Sequence, residues 1–344
     1  MIKKTRIIFE ALSLFLLLIV IIGCGENSSG GSGDEFKKSN EGLTMEFVEN
    51  FPRDSYIVED DGEHISIMVD IRNEGIYPAE NDKDGKGFFK RNGGLFISGF
   101  DDAIIDMDSK AKKFSEKDVY LTGASSINPR GGFYSAKFDG KIAAGNLLVD
   151  RYEPTILATL CYPYLTTASL TVCVDPKPFE QRQEKVCEIG SKTLPEQGAP
   201  VAITRIDQEA STKKIHFKIS IENVGGGDII LGEKLEGFNK IIGKCDPLGG
   251  GILDRKDFDK VYMESITVGG EDILGDCRPF VDESDNIIRL FDGEGSVICT
   301  LDLEKPKFKD IGSAITTPLN IELRYGYRST ISKQIEILKL TSTG

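Results

Sequence analysis

His64 and His216 are the only two histidines in 344 residues. A hydrolytic triad needs a positioned base, and these two do not occupy matching places in the internal repeat described below. His64 matches Lys214, and His216 matches Ser66. His216 also falls on the polar side of an alternating run, where a strand histidine is solvated, and a general base needs a hydrogen-bonding partner as well. Asp101-Asp102 and Glu283 with Asp285 have the chemistry for acid–base work. In an acidic chain such pairs arise freely and read as turn residues. Glu80-Asn81-Asp82-Lys83-Asp84-Gly85 sets oxygen ligands at alternating places before a glycine, as an EF-hand loop begins. Arg91 stands where that loop needs its bidentate acid, so an irregular calcium site is the form left open. Asp282 to Asp285 and Asp292-Gly293-Glu294 are weaker versions. Zinc finds no C-x-x-C and only the two histidines. The Gly-Gly pairs at 93–94, 131–132, 249–250 and 269–270 lead into no Lys-Ser/Thr and no helix, so they are turns rather than phosphate loops. No residue set assigns catalysis or a cofactor, and the expectation is a protein that is not an enzyme.

The seven cysteines point elsewhere. Lys3, Lys4 and Arg6 precede an uncharged apolar run, Ala11 to Ile22, that ends in Ile21-Ile22-Gly23-Cys24. This is the layout of an export signal. Its last four residues have the form of a lipobox, in which Cys24 becomes lipid-modified and N-terminal after cleavage. Ile22 is bulkier than the usual residue there. Two other anchors stay open. One is a membrane-spanning helix, although Glu10 interrupts the run and spanning takes about 20 apolar residues. The other is a pilin-like signal with Glu10 near the head of a hydrophobic helix. All three place the bulk of the chain outside the cytoplasm, held to the membrane. Six cysteines remain: Cys161, Cys173, Cys187, Cys245, Cys277 and Cys299. An even number in an exported chain predicts three disulfides. The repeat aligns Cys161 and Cys173 with Arg324 and Glu336. If these places face each other across a hairpin, one copy ties them by a Cys161–Cys173 bond and the other by opposite charge. Cys187 then joins a second-half cysteine. The competing pair is Cys173–Cys187, closing the loop from Asp175 to Lys185.

These residues sit in a chain that carries one module twice. Val69-Asp70-Ile71-Arg72-Asn73-Glu74-Gly75 returns as Ile219-Ser220-Ile221-Glu222-Asn223-Val224-Gly225, an offset of 150. Phe100-Asp101 returns as Phe258-Asp259 at 158, and Gly132 to Asp139 as Gly295 to Asp302 at 163. Cys161 to Ser169 returns as Arg324 to Ser332, again at 163, bringing Tyr162 and Tyr164 back as Tyr325 and Tyr327. Residues i and i+2 of a strand share a face. The tyrosine pairs therefore read as a packed hairpin with each hydroxyl bonded at the sheet rim, or, more sharply, as a binding surface. Thr44–Glu49, Ile65–Ile71, Leu95–Ser98, Ala103–Asp106, Val119–Thr122, Tyr134–Phe138, Ile156–Tyr162 and Leu170–Val174 are short β-branched or aromatic runs between turn signals. Ile65, Ile67, Val69 and Ile71 alternate with Ser66, Met68, Asp70 and Arg72, the period of a half-buried strand. Seven or eight strands per copy predict an all-β chain of two tandem immunoglobulin-like Greek-key sandwiches. The expected divisions are 1–24 for the signal or anchor, 25–41 for a Gly/Ser-rich tether, 42–180 for the first sandwich, 181–199 for a linker and 200–344 for the second. Asn27-Ser28-Ser29, in the tether, is an N-glycosylation sequon.

Asn73-Glu74-Gly75 and Asn223-Val224-Gly225 close the second strand of each copy. Asn can bond local backbone there, and Gly can take positive φ. At these residues the chain resembles the CARDB-type ("cell adhesion related") immunoglobulin-like domains of bacterial and archaeal surface proteins, in which an alternating strand ends apolar-x-Asn-x-Gly. The resemblance implies the sandwich fold and adhesion. Both copies run longer than such a domain, with extra sequence around Asn81–Asn92 and Gly243–Lys256. A net charge of −13 opposes nucleic acid and anionic lipid. The expected partners are the membrane, through the N-terminal anchor, and a surface protein or glycan. The alternatives are a structural subunit or spacer of an envelope or pilus assembly, then a solute-binding lipoprotein or hydrolase.

Overall fold

Ile65, Ile67, Val69 and Ile71 form the inner face of an 11-residue strand and are fully buried. Ser66, Met68, Asp70 and Arg72 point the other way and are half-buried. Each buried Ile or Val contributes about 1.5–3 kcal/mol of burial free energy, so a slip by one residue would lose the whole face. The computed structural model describes residues 39–59, 61–83, 93–117, 119–143, 145, 147–180, 185–231, 244–245, 253–281 and 285–340. Strands dominate among them, and the chain is all-β.

The first half supplies β1 (Leu43–Phe47), β2 (Ser55–Val58), β3 (Glu63–Asn73), β4 (Gly94–Ser98) and β5 (Ile105–Met107). It continues with β6 (Ala111–Lys113), β7 (Phe133–Ile142), β8 (Arg151–Tyr152) and β9 (Thr155–Val174). In the second half come β10 (Lys192–Thr193), β11 (Val201–Ala210), β12 (Lys214–Asn223), β13 (Asp228–Ile230), β14 (Lys260–Val268) and β15 (Glu271–Asp272). Then follow β16 (Cys277–Arg278), β17 (Ile287–Arg289), β18 (Glu294–Asp302), β19 (Ile315–Gln334) and β20 (Glu336–Lys339). They make a four-stranded sheet β1-β3-β7-β5, a five-stranded sheet β10-β11-β12-β18-β16 and an eight-stranded sheet built on β15-β14-β19-β9-β4-β6. A small sheet, β2-β20-β8, joins the last strand to the first half. Both halves belong to one compact unit, Phe36–Gly344, with a continuous apolar core.

The long pair β9 and β19 organises the rest. They run antiparallel over 20 residues each, with Pro163 opposite Gly326, Tyr162 opposite Tyr327 and Tyr164 opposite Tyr325. Pro163 and Gly326 are repeat equivalents, so a pseudo-twofold axis passes between them. Of β9, only Leu157–Cys161 pairs with β4. Beyond that point β9 runs beneath second-half strands: Thr166 donates to the Val201 carbonyl, and Gln208 bonds both the N–H and the C=O of Cys173. β19 does the converse. β14 covers only Tyr262 to Val268 against Arg324 to Leu319, and the far end of β19 reaches the first half through Lys333, which contacts Pro52 and Asp54. Each long strand begins in its own half and finishes in the other. The hairpin expected between Tyr162 and Leu170 is absent. Pro163-Tyr164-Leu165-Thr166-Thr167-Ala168-Ser169 contains no Gly, Asn or Asp to reverse the chain, and Pro163 lies past the end of β4, where a missing N–H is tolerated.

The repeat also needs its register corrected. The Asn73 N–H donates to the Gly132 carbonyl and the Asn223 N–H to that of Gly293. Gly132 is therefore equivalent to Gly293 rather than Gly295, an offset of 161. The Phe100-Asp101 match is not structural: it follows β4, whereas Phe258-Asp259 precedes β14. Val119–Thr122 is not a strand, although Val119 and Leu121 are buried.

Three disulfides form, Cys161–Cys245, Cys173–Cys187 and Cys277–Cys299. The Cys161–Cys173 pairing fails because both lie on the one strand β9, 12 residues and thus about 40 Å apart. Cys187 closes the competing loop instead, and Cys161 makes the bond between halves. Arg324 and Glu336 do not pair either: Arg324 binds Glu264 at 2.8 Å and Glu336 binds Arg151 at 2.7 Å. The facing-residue logic holds at a different place, since Cys277 and Cys299 sit opposite each other on β16 and β18.

Candidate functional site

The four repeated tyrosines meet on the pseudo-axis. Ring centroids lie 5.8 Å apart for Tyr162–Tyr327 and 6.0 Å for Tyr164–Tyr325. All four are buried, and burial raises every phenol above its ordinary pKa. Each hydroxyl is spent on the opposing sheet. Leu43 N–H donates to Tyr162 (3.0 Å) and the equivalent Val201 N–H to Tyr325 (3.2 Å). Tyr77 N–H donates to Tyr164 (3.2 Å) and the equivalent Gly227 N–H to Tyr327 (2.6 Å). The neighbouring asparagines work the same way: the Asn73 amide donates to the Tyr77 carbonyl and that of Asn223 to Gly227. Gly75 and Gly225 are not at positive φ, contrary to expectation. They are needed for close approach. A Cβ at Gly75 would collide with the Tyr164 hydroxyl, and one at Gly225 would stand 2.7 Å from that of Tyr327. The duplicated residues are thus packing and backbone satisfaction, not an open surface.

Among the described residues an open groove lies on the second half. A cavity of about 700 Å³ runs over the outer face of β12 and β18. Lys218, Ser220 and Glu222 come from β12, and Glu294 and Ser296 from β18. Its wall is Pro279, Phe280 and Val281, the segment that leaves β16 and is stitched to β17 by the Val281 N–H on the Ile287 carbonyl (2.7 Å). The Cys277–Cys299 bond fastens this wall to the strand that forms the floor. Arg289 and Phe291 close the end, with the guanidinium 5.9 Å from the ring centroid. Phe291 is 73% exposed, Val281 51% and nearby Ile298 45%, an apolar rim around polar groups. Asp292 and Gly293, both at positive φ, form the two-residue hairpin that presents Phe291 beside Glu294. Asp292 thus takes a turn position.

The ladder partners decide the charge of this groove. Lys218 faces Asp207 of β11, whose carboxyl is held below its ordinary range by the Ser191 hydroxyl and by Arg205, with Lys218 adding to the effect. Glu222 and Glu294 face each other directly, and like charges so placed repel. Thr204 donates to Glu222 at 2.8 Å. In the first half the equivalent pair is Arg72 and Phe133, with the guanidinium over the ring at 5.1 Å. There Asp139 also gathers Ser66, Lys137 (2.9 Å) and His64 (3.5 Å), which together hold its carboxyl below the ordinary range.

Other expected sites fall as follows. Cys24, Asn27, Glu283 and Asp84-Gly85 lie outside the described residues. Asp101 caps the Ala103 N–H at 2.8 Å, a turn role, and His216 shares a hydrogen bond with Thr300 at 3.0 Å. Among the described residues no group of three or more potential ligands is placed to hold a metal, and no helix is long and apolar enough to cross a membrane. Sequence reasoning missed the groove. Its signal was Ile298, an apolar residue on the polar side of β18, together with Phe291 before the Asp-Gly turn. No protein-family model and no curated protein matches this sequence.

Proposed function

We propose that this chain is a non-enzymatic, membrane-tethered surface protein that binds a partner through the groove of its second half. The observation that carries the reading is the contrast between equivalent faces: one is closed by its own ion pairs, the other opens into a cavity of about 700 Å³ rimmed with exposed apolar side chains. Cavities of ~300–1,000 Å³ with an apolar rim and a few polar groups suit ligand binding. The lining offers lysine, arginine, glutamate and serine but no histidine or cysteine, which favours recognition over acid–base or nucleophilic chemistry.

The fold reading that goes with this is a pair of immunoglobulin-like Greek-key sandwiches. The order β1-β3-β7-β5 corresponds to strands A-B-E-D, and β4-β9-β19 to C-F-G. In the second half β11-β12-β18-β16 and β14-β19-β9 repeat both orders. On this reading each sandwich takes its seventh strand from the other's long strand, and the CARDB likeness at Asn73 and Asn223 supports adhesion as the activity. Cells displaying the full chain should adhere to partner cells or matrix and lose that adhesion with Phe291→Ser. Unchanged adhesion in the variant would remove the groove from the account. Mass spectrometry should find a lipid-modified Cys24 at the mature N-terminus, and an intact start at Met1 would defeat the lipoprotein tether. A second reading, a rigid envelope spacer, is favoured by the two 20-residue strands that bind the halves together. Filaments formed by purified chain would support it.

A further inference from the structure

We propose that the second-half groove takes a basic side chain, an arginine flanked by apolar residues in an extended segment of a partner protein, seated between Glu222 and Glu294. This rests on the groove being the binding site. Three observations select a cation over an anion. First, Glu222 and Glu294 are directly opposed carboxylates with no ion-pair partner within 4.0 Å among the described residues. A guanidinium between them would turn repulsion into two charge-assisted hydrogen bonds. Second, the groove's own cations have other neighbours and no ion pair to Glu222 or Glu294: Lys218 lies opposite Asp207 in the ladder, and the Arg289 guanidinium is 5.9 Å from the Phe291 ring centroid. Third, the molecule contains its own version of the filled site. At the equivalent ladder position the first half supplies Arg72, stacked on Phe133. The second half keeps aromatic surface at hand in Phe280 and Phe291 but replaces the arginine by a glutamate. Exposed Phe291, Val281 and Ile298 would cover apolar neighbours of the incoming arginine. The net charge of −13 would also draw a basic partner toward the surface.

The test titrates the full chain with three capped tripeptides, Leu-Arg-Leu, Leu-Gln-Leu and Leu-Glu-Leu, followed by amide NMR. The arginine peptide should bind about tenfold more tightly than the glutamine peptide, with shifts confined to β12, β18 and the 279–291 wall. The glutamate peptide should not bind. Glu222→Gln and Glu294→Gln should each lower arginine-peptide affinity about fivefold while leaving the fold intact. Glu222→Arg, which restores the first-half residue, should abolish binding. Equal or tighter binding of the glutamine or glutamate peptide in the groove would overturn the basic ligand while leaving the groove as a site. Shifts elsewhere, or none with any peptide, would overturn the basic ligand and count against the groove as well.

Discussion

Where the first half sets Arg72 over the ring of Phe133, the second sets Glu222 against Glu294. Where the first has Lys137 bound to Asp139, the second exposes Ile298. The inner faces show no such divergence. Leu43 and Val201 give their N–H groups to equivalent tyrosines, and Asn73 and Asn223 span equivalent turns. Duplication kept what satisfies buried backbone and left the outer face free to differ. One half is therefore a self-complemented copy against which the other can be read.

The largest effect expected separates the tyrosine cluster from everything outside it. Tyr77, Tyr162, Tyr164, Tyr325 and Tyr327 all have phenols raised by burial, Tyr77 to about 12. Unfolded, each would ionise near 10. Stability from these groups is fully present below pH 10 and is lost as pH rises from there through the raised values, because the unfolded chain then binds fewer protons. Each phenol contributes a slope of about −1.4 kcal/mol per pH unit. Unfolding above pH 10 should be cooperative, and the tyrosinate absorbance of these five phenols should appear in one step with loss of structure. Tyr77 has Gly227 as its second-half counterpart, so Tyr77→Phe should flatten the slope by one phenol. Gradual native-state titration of all ten tyrosines would contradict the buried cluster.

Next come the disulfides, none of which the repeat shares. Cys161–Cys245 spans 84 residues and joins the halves, while Cys277–Cys299 spans 22. Loop entropy makes the first worth about 4–5 kcal/mol and the second about 3 kcal/mol. Double Cys→Ala variants compared by urea unfolding should keep that order, and only the second should also loosen the groove wall. A reversed order would mean that the link between halves is not what the 84-residue bond secures.

Gly75→Ala and Gly225→Ala compare the two halves inside the core. The new Cβ at Gly75 meets the Tyr164 hydroxyl and two carbonyls, those of Glu41 and Gly198, at 2.8 Å. At Gly225 the nearest atoms are 2.6 Å or more away. Overpacking should cost about 3 kcal/mol in the first case and about 1–2 kcal/mol in the second. Equal losses would show that the two turns have the same slack.

The strands were legible in the sequence because alternation at Ile65–Ile71 and Ile215–Ile221 leaves one register that buries every apolar residue. Three disulfides followed from the even number of cysteines beyond Cys24. What could not be read was where β9 stops. Ile156–Tyr162 and Leu170–Val174 read as two strands of a hairpin, whereas the absence of Gly, Asn or Asp between them was the better signal for one strand. That error carried the disulfide pairing with it. The groove was hidden for another reason: its wall is brought to β18 by a long-range bond, Cys277–Cys299, and no local pattern encodes that approach.

The smallest effect bears most directly on the contrast of outer faces. Removing one carboxylate from a directly opposed pair should relieve repulsion, so Glu294→Gln should raise stability by about 0.3–0.5 kcal/mol. Removing one partner of the first-half network should do the reverse, and Lys137→Gln should lower stability by a similar ~0.3–0.5 kcal/mol. Both shifts should shrink as salt is raised, since both sites are exposed and the Debye length falls from about 10 Å at 0.1 M to about 3 Å at 1 M. Paired urea titrations at low and high salt would measure them. Opposite signs that converge with salt mark one face as electrostatically complete and the other as awaiting a cation. The same sign in both variants would mean that Glu222 and Glu294 are already neutralised within the chain, and the contrast between halves would then be one of shape alone.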